Sequence, residues 1–290
     1  MARRLAITGA ALTLTLALAA PAGAEVQALP DSGAVTVTTL RPVAHHEAKG
    51  GKHDNRECLD GKRVREAERW ADGRAGEISF AVLDECGRLR GDHPYRVHYS
   101  ASVVKVMLLV AYLRREDVRH DALSEDEKSM LGPMITMSDN DRANQVFGIV
   151  GEEGLYDLAR AAEMKHFTTM PSWGASEITA GDQVNFVGRI ERYVPKRHEA
   201  YVLSLMSHVI DPQRWGIPRL KLPGWKVAIK GGWSPQASGG GWRVNQVALL
   251  RRHGRRLTVA ILTSDDPDFA YGQASIEGVG KRLLRAYRHK

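Results

Sequence analysis

The stretch YSASVVKVMLLVAYLRR, residues 99–115, decides how the rest of the chain is read. Val103, Val104, Met107, Leu108, Val110, Ala111 and Leu113 leave almost no polar face, so Ser102 to Arg115 reads as a helix buried all round. One cation, Lys105, stands inside that apolar run. A charged amine there is costly unless it has a partner or a chemical task. Ser102 lies three residues earlier, so one helical turn puts hydroxyl and amine on one face, within reach of each other. A serine hydroxyl is a poor nucleophile until a base takes its proton, and a lysine with a lowered pKa can be that base. The helix N-terminus adds a positive field beside Ser102. By itself Ser-x-x-Lys says little: about one arises by chance in a chain of this composition.

Working outward, EISFAVL (77–83) is a strand, Asp84-Glu85-Cys86-Gly87 a turn, and a second strand runs towards Tyr99. A helix covers Arg63 to Trp70. After residue 115 helices dominate: Ser124-Glu125-Asp126-Glu127 is a capping box, and further helices read at Glu152 to Met164, Ala180 to Tyr193 and His198 to Val209. The pattern then returns to strands. Trp225 to Ile229 is a β run, and Trp242 to Arg252 and Arg255 to Thr263 join at His253-Gly254 as a hairpin. A helix over Phe269 to Arg288 closes the chain. Strands at both ends and helices between them predict an α/β (α+β) fold. One antiparallel sheet is built from both ends of the chain and flanked by helices, with an all-helical lobe inserted. The α/β lobe is expected over residues 58–99 plus 220–290, and the helical lobe over 100–219.

Two further motifs fall where the lobes meet. Ser138-Asp139-Asn140 follows Met134-Ile135-Thr136-Met137. As structure it is a cap for a helix starting near Asp141. As chemistry, a second hydroxyl can pass a proton to a leaving group, and an amide can hold a substrate amide. Lys230-Gly231-Gly232 ends the WKVAI strand. Glycines there let a substrate backbone lie against the strand edge, and Lys230 supplies charge; the structural alternative is a strand running into a flexible loop.

The 290 residues carry 41 Lys and Arg against 34 Asp and Glu, a net charge of +7 with both signs interspersed. That balance, with no nucleic-acid motif, points to a mild surface bias; Arg251 to Arg256 reads as a solvated hairpin tip. Arg3 and Arg4, the apolar run at 5–20 and Ala22-Gly23-Ala24 read as a secretory signal peptide over 1–24, with a linker or poorly ordered leader over 25–57. The apolar run is shorter than the roughly 20 residues a bilayer span needs. The mature chain is therefore expected to be exported, with no membrane span, as a monomer. Export predicts a bridge between Cys58 and Cys86, two separate buried thiols being the alternative. No Cys-x-x-Cys partner is present and His45, His46 and His53 lack ligand spacing, so no metal and no cofactor are expected.

Taken in order, the three motifs resemble the Ser-x-x-Lys, Ser-Asp-Asn and Lys-Thr-Gly set of the penicillin-recognising serine enzymes. The likeness is closest to class A β-lactamases. YSASVVKV at 99–106 and MITMSDN at 134–140, with Ala143 and Asn144 following, are similar to that family's sequence around these motifs. The resemblance implies a secreted acyl-serine enzyme acting on a small β-lactam or peptide substrate. Ser102 is the nucleophile, Lys105 the acylation base and Ser138 the proton relay. Asn140, Lys230 and Gly232 bind substrate, and the backbone N–H groups of Ser102 and Trp233 form the oxyanion hole.

Three departures accompany the likeness. In the stretch Thr168 to Thr179, Gly174 follows Trp173 where the family places the glutamate that activates the deacylating water. Glu177 is the nearby carboxylate, with catalysis and a structural role both open to it. Gly231 replaces a hydroxyl residue that helps hold a β-lactam carboxylate. The segment between Lys105 and Ser138 is shorter than in class A enzymes. Acylation chemistry is expected intact, with rapid deacylation and tight β-lactam binding weakened. Two other readings share the fold: a D-alanyl-D-alanine peptidase-type amidase, and a non-enzymatic module binding β-lactams or cell wall.

Overall fold

The computed structural model describes residues 58–236 and 239–288; the signal peptide and leader expected over 1–57 lie outside the described residues. The order is α1 (Gly61–Asp72), β1 (Glu77–Leu83), β2 (Leu89–Asp92), β3 (Val97–Tyr99), α2 (Lys105–Leu113), α3 (Glu125–Thr136) and α4 (Asn140–Ala161). Then come β4 (Glu177–Thr179), α5 (Ala180–Gly188), α6 (Glu199–Ser207), β5 (Lys226–Pro235), β6 (Trp242–Arg252), β7 (Arg255–Ser264) and α7 (Phe269–Leu283). Five strands form one sheet in the order β2-β1-β7-β6-β5. Every pairing in it is antiparallel. Strands from both ends of the chain thus meet at β1–β7, as the strand–helix–strand order predicts.

Alternation along the strands sends side chains to two cores. Ala81, Ala228, Val247, Leu249, Ala260 and Leu262 pack with the helical segments. Phe80, Val82, Ile229, Ala248, Val259 and Ile261 pack with α1 and α7 residues such as Ala67, Ile276 and Val279. Local signals place the ends of elements. Ser124 and Glu127 make the reciprocal capping box that opens α3. His253 and Gly254, both at positive φ, turn the β6–β7 hairpin in the left-handed way that suits strand twist. Cys58 and Cys86 are bridged, tying the segment before α1 to the β1–β2 turn.

Several expectations need correction. The second strand does not run to Tyr99 in one piece. It ends at Asp92, and β3 pairs instead with β4 in a separate two-stranded sheet. The helix expected from Glu152 is the second half of α4, broken at Gly151 by its positive φ. The helix expected to reach Tyr193 stops at Gly188, with a short 3₁₀ turn after it. Lys230-Gly231-Gly232 does not end a strand: β5 continues to Pro235, fully paired with β6.

Candidate active site

Ser102 sits in a 3₁₀ turn, Ala101–Val104, that runs directly into α2. Ala101 holds a positive φ of 44°, an uncommon conformation for a residue with a side chain. Its neighbours hold it in place: Ser100 N donates to Ser176 O at 2.7 Å, and Asn245 Nδ2 donates to Tyr99 O at 2.8 Å. β5 lies hard against this turn. A methyl group on Gly232 would stand 2.6 Å from Ser102 N and 2.8 Å from Val103 N, so only glycine fits there.

Lys105 is fully buried. Its amine donates to Ser138 O (2.6 Å), Asn140 Oδ1 (2.7 Å) and Asp139 O (3.1 Å), with Ser138 Oγ at 3.4 Å. The sequence reading brings the amine to Ser102; the hydrogen bonds instead go to the 138–140 turn, and among the described residues none joins Nζ to Ser102 Oγ. Three short acceptors match the three protons of an ammonium. Burial pushes the Lys105 pKa down to about 7, the Asp139 carboxylate partly opposing it. Losing one proton would free a lone pair within one helical turn of Ser102.

Ser138 has a positive φ of 61°. Asp139 next to it caps α4, its carboxylate accepting from Arg142 N at 2.9 Å. The cap reading and the site reading of this motif are therefore compatible. On the far side, Lys230 Nζ donates to Ser138 Oγ at 2.9 Å and to Gly231 O at 2.6 Å. Burial, and then repulsion from the Lys105 amine, hold the Lys230 pKa well below its ordinary value. One hydroxyl thus links two buried amines from α2 and β5. Hydrogen bonds join Lys105, Ser138, Asn140 and Lys230, and Gly232 packs against the turn that carries Ser102, while the ring of Trp233 turns to the core shared with Trp215 and Phe269.

Glu177 does not join them. It lies on β4, paired by backbone to Tyr99 and Thr168, and lines a pocket of about 260 Å³ with Val97, Gln236 and Arg243. Asp139 is the carboxylate whose charge bears on Lys105. What faces the amine from the loop before β4 is Trp173. Its ring centre lies 4.7 Å from Lys105 Nζ, and its indole N–H donates to Asn144 Oδ1 at 2.8 Å. The sequence marks the spot, since Trp173-Gly174 stands where the family pattern has its acid, but not the seat of the ring. Among the described residues no group of three or more His, Cys, Asp or Glu side chains is placed to hold a metal ion.

An antiparallel sheet carrying a buried Ser-x-x-Lys turn against a Ser-Asp-Asn turn defines the class of active-site serine hydrolases. The profile of the β-lactamase enzyme family matches residues 126–287, and the chain belongs to that family. Among solved structures it is similar to a β-lactamase from Sphaerobacter thermophilus, with a TM-score of 0.68 at 19% identity over 79% of this chain and 98% of that one. The class A β-lactamase from Mycobacterium abscessus aligns with a TM-score of 0.65 at 18% identity, over 78% and 99%. The chromosome-encoded β-lactamase of Vibrio parahaemolyticus aligns with a TM-score of 0.66 at 13% identity, over 79% and 100%. No curated protein matches the chain by sequence.

Proposed function

We propose that this is an exported, monomeric serine hydrolase that forms an acyl-enzyme on Ser102 with a β-lactam or related amide. The observation that carries it is the Lys105–Ser138–Lys230 chain of hydrogen bonds beside the Ser102 turn. The α/β lobe (58–99 with 220–290) and the helical lobe (100–219) form the walls of the cleft. Export is supported by the Cys58–Cys86 bridge, and among the described residues no helix is long and apolar enough to cross a membrane.

In the proposed reaction Ser102 Oγ bonds to the carbonyl carbon and its proton passes to neutral Lys105. The N–H groups of Ser102 and Trp233 hold the oxyanion, and Asn140 and the edge of β5 along Gly232 hold the substrate amide. Lys105 returns the proton through Ser138 to the leaving nitrogen as the C–N bond breaks. An ester on Ser102 and a free amine remain. Lys230 keeps the Ser138 hydroxyl aimed. The next step needs an activated water. Trp173, not a carboxylate, faces Lys105 there, so the ester is long-lived. Glu177 stays with the β3–β4 pair, a structural role apart from the reacting groups.

The test is hydrolysis or covalent capture of a chromogenic cephalosporin by the native chain and by Ser102→Ala and Lys105→Ala. Loss in both variants is expected; turnover that survives Ser102→Ala would refute the assignment.

A further inference from the structure

Lys230 and Gly232 face Ser138 and Ser102, so alternation puts Ser234 and Gln236 on the same, cleft side of β5. Residues 231 and 233 turn the other way, where a Cβ on Gly231 would stand 2.5 Å from the ring of Trp215. In the β5–β6 register Gly232 lies opposite Asn245 and Ser234 opposite Arg243, so both β6 side chains share the cleft face. Asn245 shows that direction, its amide donating to Tyr99 O just before the nucleophile turn. The leaving nitrogen takes its proton at the Ser138–Lys230 end of the strand. The acyl side of a bound substrate therefore runs the opposite way, from Gly232 towards Gln236. At a rise of about 3.3 Å per residue, Arg243 stands about 7 Å along that line, within reach of a six-carbon acyl chain.

There lies the pocket of about 260 Å³, whose walls include Tyr99, Glu177, Gln236, Arg243 and Asp265. Glu177 lies opposite Tyr99 in the β3–β4 pair, and the Arg243 guanidinium stands 4.8 Å from the Tyr99 ring centre, so the two charges flank one ring. They do not meet. Among the described residues no ion pair or hydrogen bond takes up either head group. Arg243 is half-buried, and burial lowers its pKa while Tyr99 and Asp265 oppose the change. His98 in the same wall is bonded to Ser79 and Ser264 and, with its pKa at about 4, adds no charge near neutral pH. A half-buried guanidinium without acceptors is costly, and a planar carboxylate satisfies two of its donors at once. Two carboxylates, Glu177 and Asp265, face this one guanidinium, so the pocket also has a place for an ammonium.

We infer that this pocket is an acyl-side subsite, where Arg243 and Glu177 select amide or lactam substrates whose acyl chain ends in an ammonium and a carboxylate on one carbon. Arg243 takes the carboxylate, and Glu177, beyond its structural role in β4, takes the ammonium. This rests on the acyl-enzyme reading above. The probes are penicillins with one lactam nucleus and different acyl chains: α-aminoadipyl (the faster epimer), adipyl, δ-aminovaleryl and hexanoyl. Intact mass gives the second-order rate of Ser102 labelling by each. The α-aminoadipyl compound is expected to label about tenfold faster than the adipyl and δ-aminovaleryl compounds, the scale of one charge-assisted hydrogen bond. In Glu177→Gln the α-aminoadipyl-to-adipyl ratio is expected to fall to about one, and in Arg243→Gln the α-aminoadipyl-to-δ-aminovaleryl ratio. Rates that do not favour the α-aminoadipyl chain, with Ser102 labelled, overturn this inference and leave the acyl-enzyme standing. Labelling by none of the probes overturns both. Ratios that keep their native values in folded variants also overturn the inference, and if a variant does not fold the native order of rates decides.

Discussion

The ring of Trp173 lies over the amine of Lys105, 4.7 Å from centre to nitrogen, and is anchored to α4 by its bond to Asn144. A tryptophan thus stands beside the one base of the proposed reaction. It stabilises the ammonium through its π face while keeping bulk water from it. Trp173→Glu would place a carboxylate there. The lifetime of the Ser102 ester should then shorten about a hundredfold, the scale of general-base assistance. The decay of the adduct mass after excess penicillin is removed checks this, and an unchanged lifetime would deny Trp173 a part in holding water off.

Acylation should follow the protonation of Lys105. Its pKa lies at about 7, lowered by burial, so the neutral amine prevails above that value and the ammonium below it. The rate should rise about tenfold per pH unit up to the inflection and level off above it. Asp139 raises this pKa, and Asn can still cap α4. Asp139→Asn should therefore move the inflection to lower pH; a profile that does not move would remove Lys105 as the titrating base.

Gly232→Ala tests the seating of β5 against the nucleophile. The added methyl would collide with Ser102 N and Val103 N, pushing β5, and with it the Trp233 N–H proposed for the oxyanion, away from Ser102. Losing one such donor costs about a hundredfold or more in rate. A variant that labels at the native rate, at native melting temperature, would show that the oxyanion is held elsewhere.

Two buried groups away from the cleft should oppose each other in acid. His98 bonds to the hydroxyls of Ser79 and Ser264, and burial, then Arg96, lowers its pKa from 6.5 to about 4. Its contribution to stability is complete above 6.5 and is lost as pH falls towards about 4. Asp266, buried beside Thr263, has its pKa raised by burial from 3.8 to about 7. Its contribution is complete below 3.8 and is lost as pH rises through about 7. Denaturant midpoints measured between about pH 4.5 and about 6.5 should show the two slopes cancelling. Relative to the native chain, Asp266→Asn should gain stability with rising pH and His98→Gln should lose it. Parallel curves for all three chains would contradict the assignment.

Local pattern accounts for what the sequence made legible. The apolar, β-prone run EISFAVL matches β1 residue for residue, and Ser124–Glu127 announces its own cap. His253-Gly254 announces a turn, and two cysteines allow one bridge. The three motifs could be named because the residue types carry the chemistry. Their geometry was not legible, because it is made by residues far apart in the chain. The amine of Lys105 answers to acceptors more than thirty positions away, at Ser138, Asp139 and Asn140. The pairing of β3 with β4 depends on the loop that seats Trp173, and nothing around Gly231 announces Trp215. Strand length went astray for a related reason: Gly231 and Gly232 read as breakers, yet β6 pairs with both.

The most direct measurement is intact mass of the native chain over time with benzylpenicillin, followed by peptide mapping. An increment of one whole penicillin, carried by Ser102, is expected to rise over the reaction and to persist long after free drug is gone. A chain that stays unmodified without consuming the drug, or an adduct mapped to another residue, would contradict it.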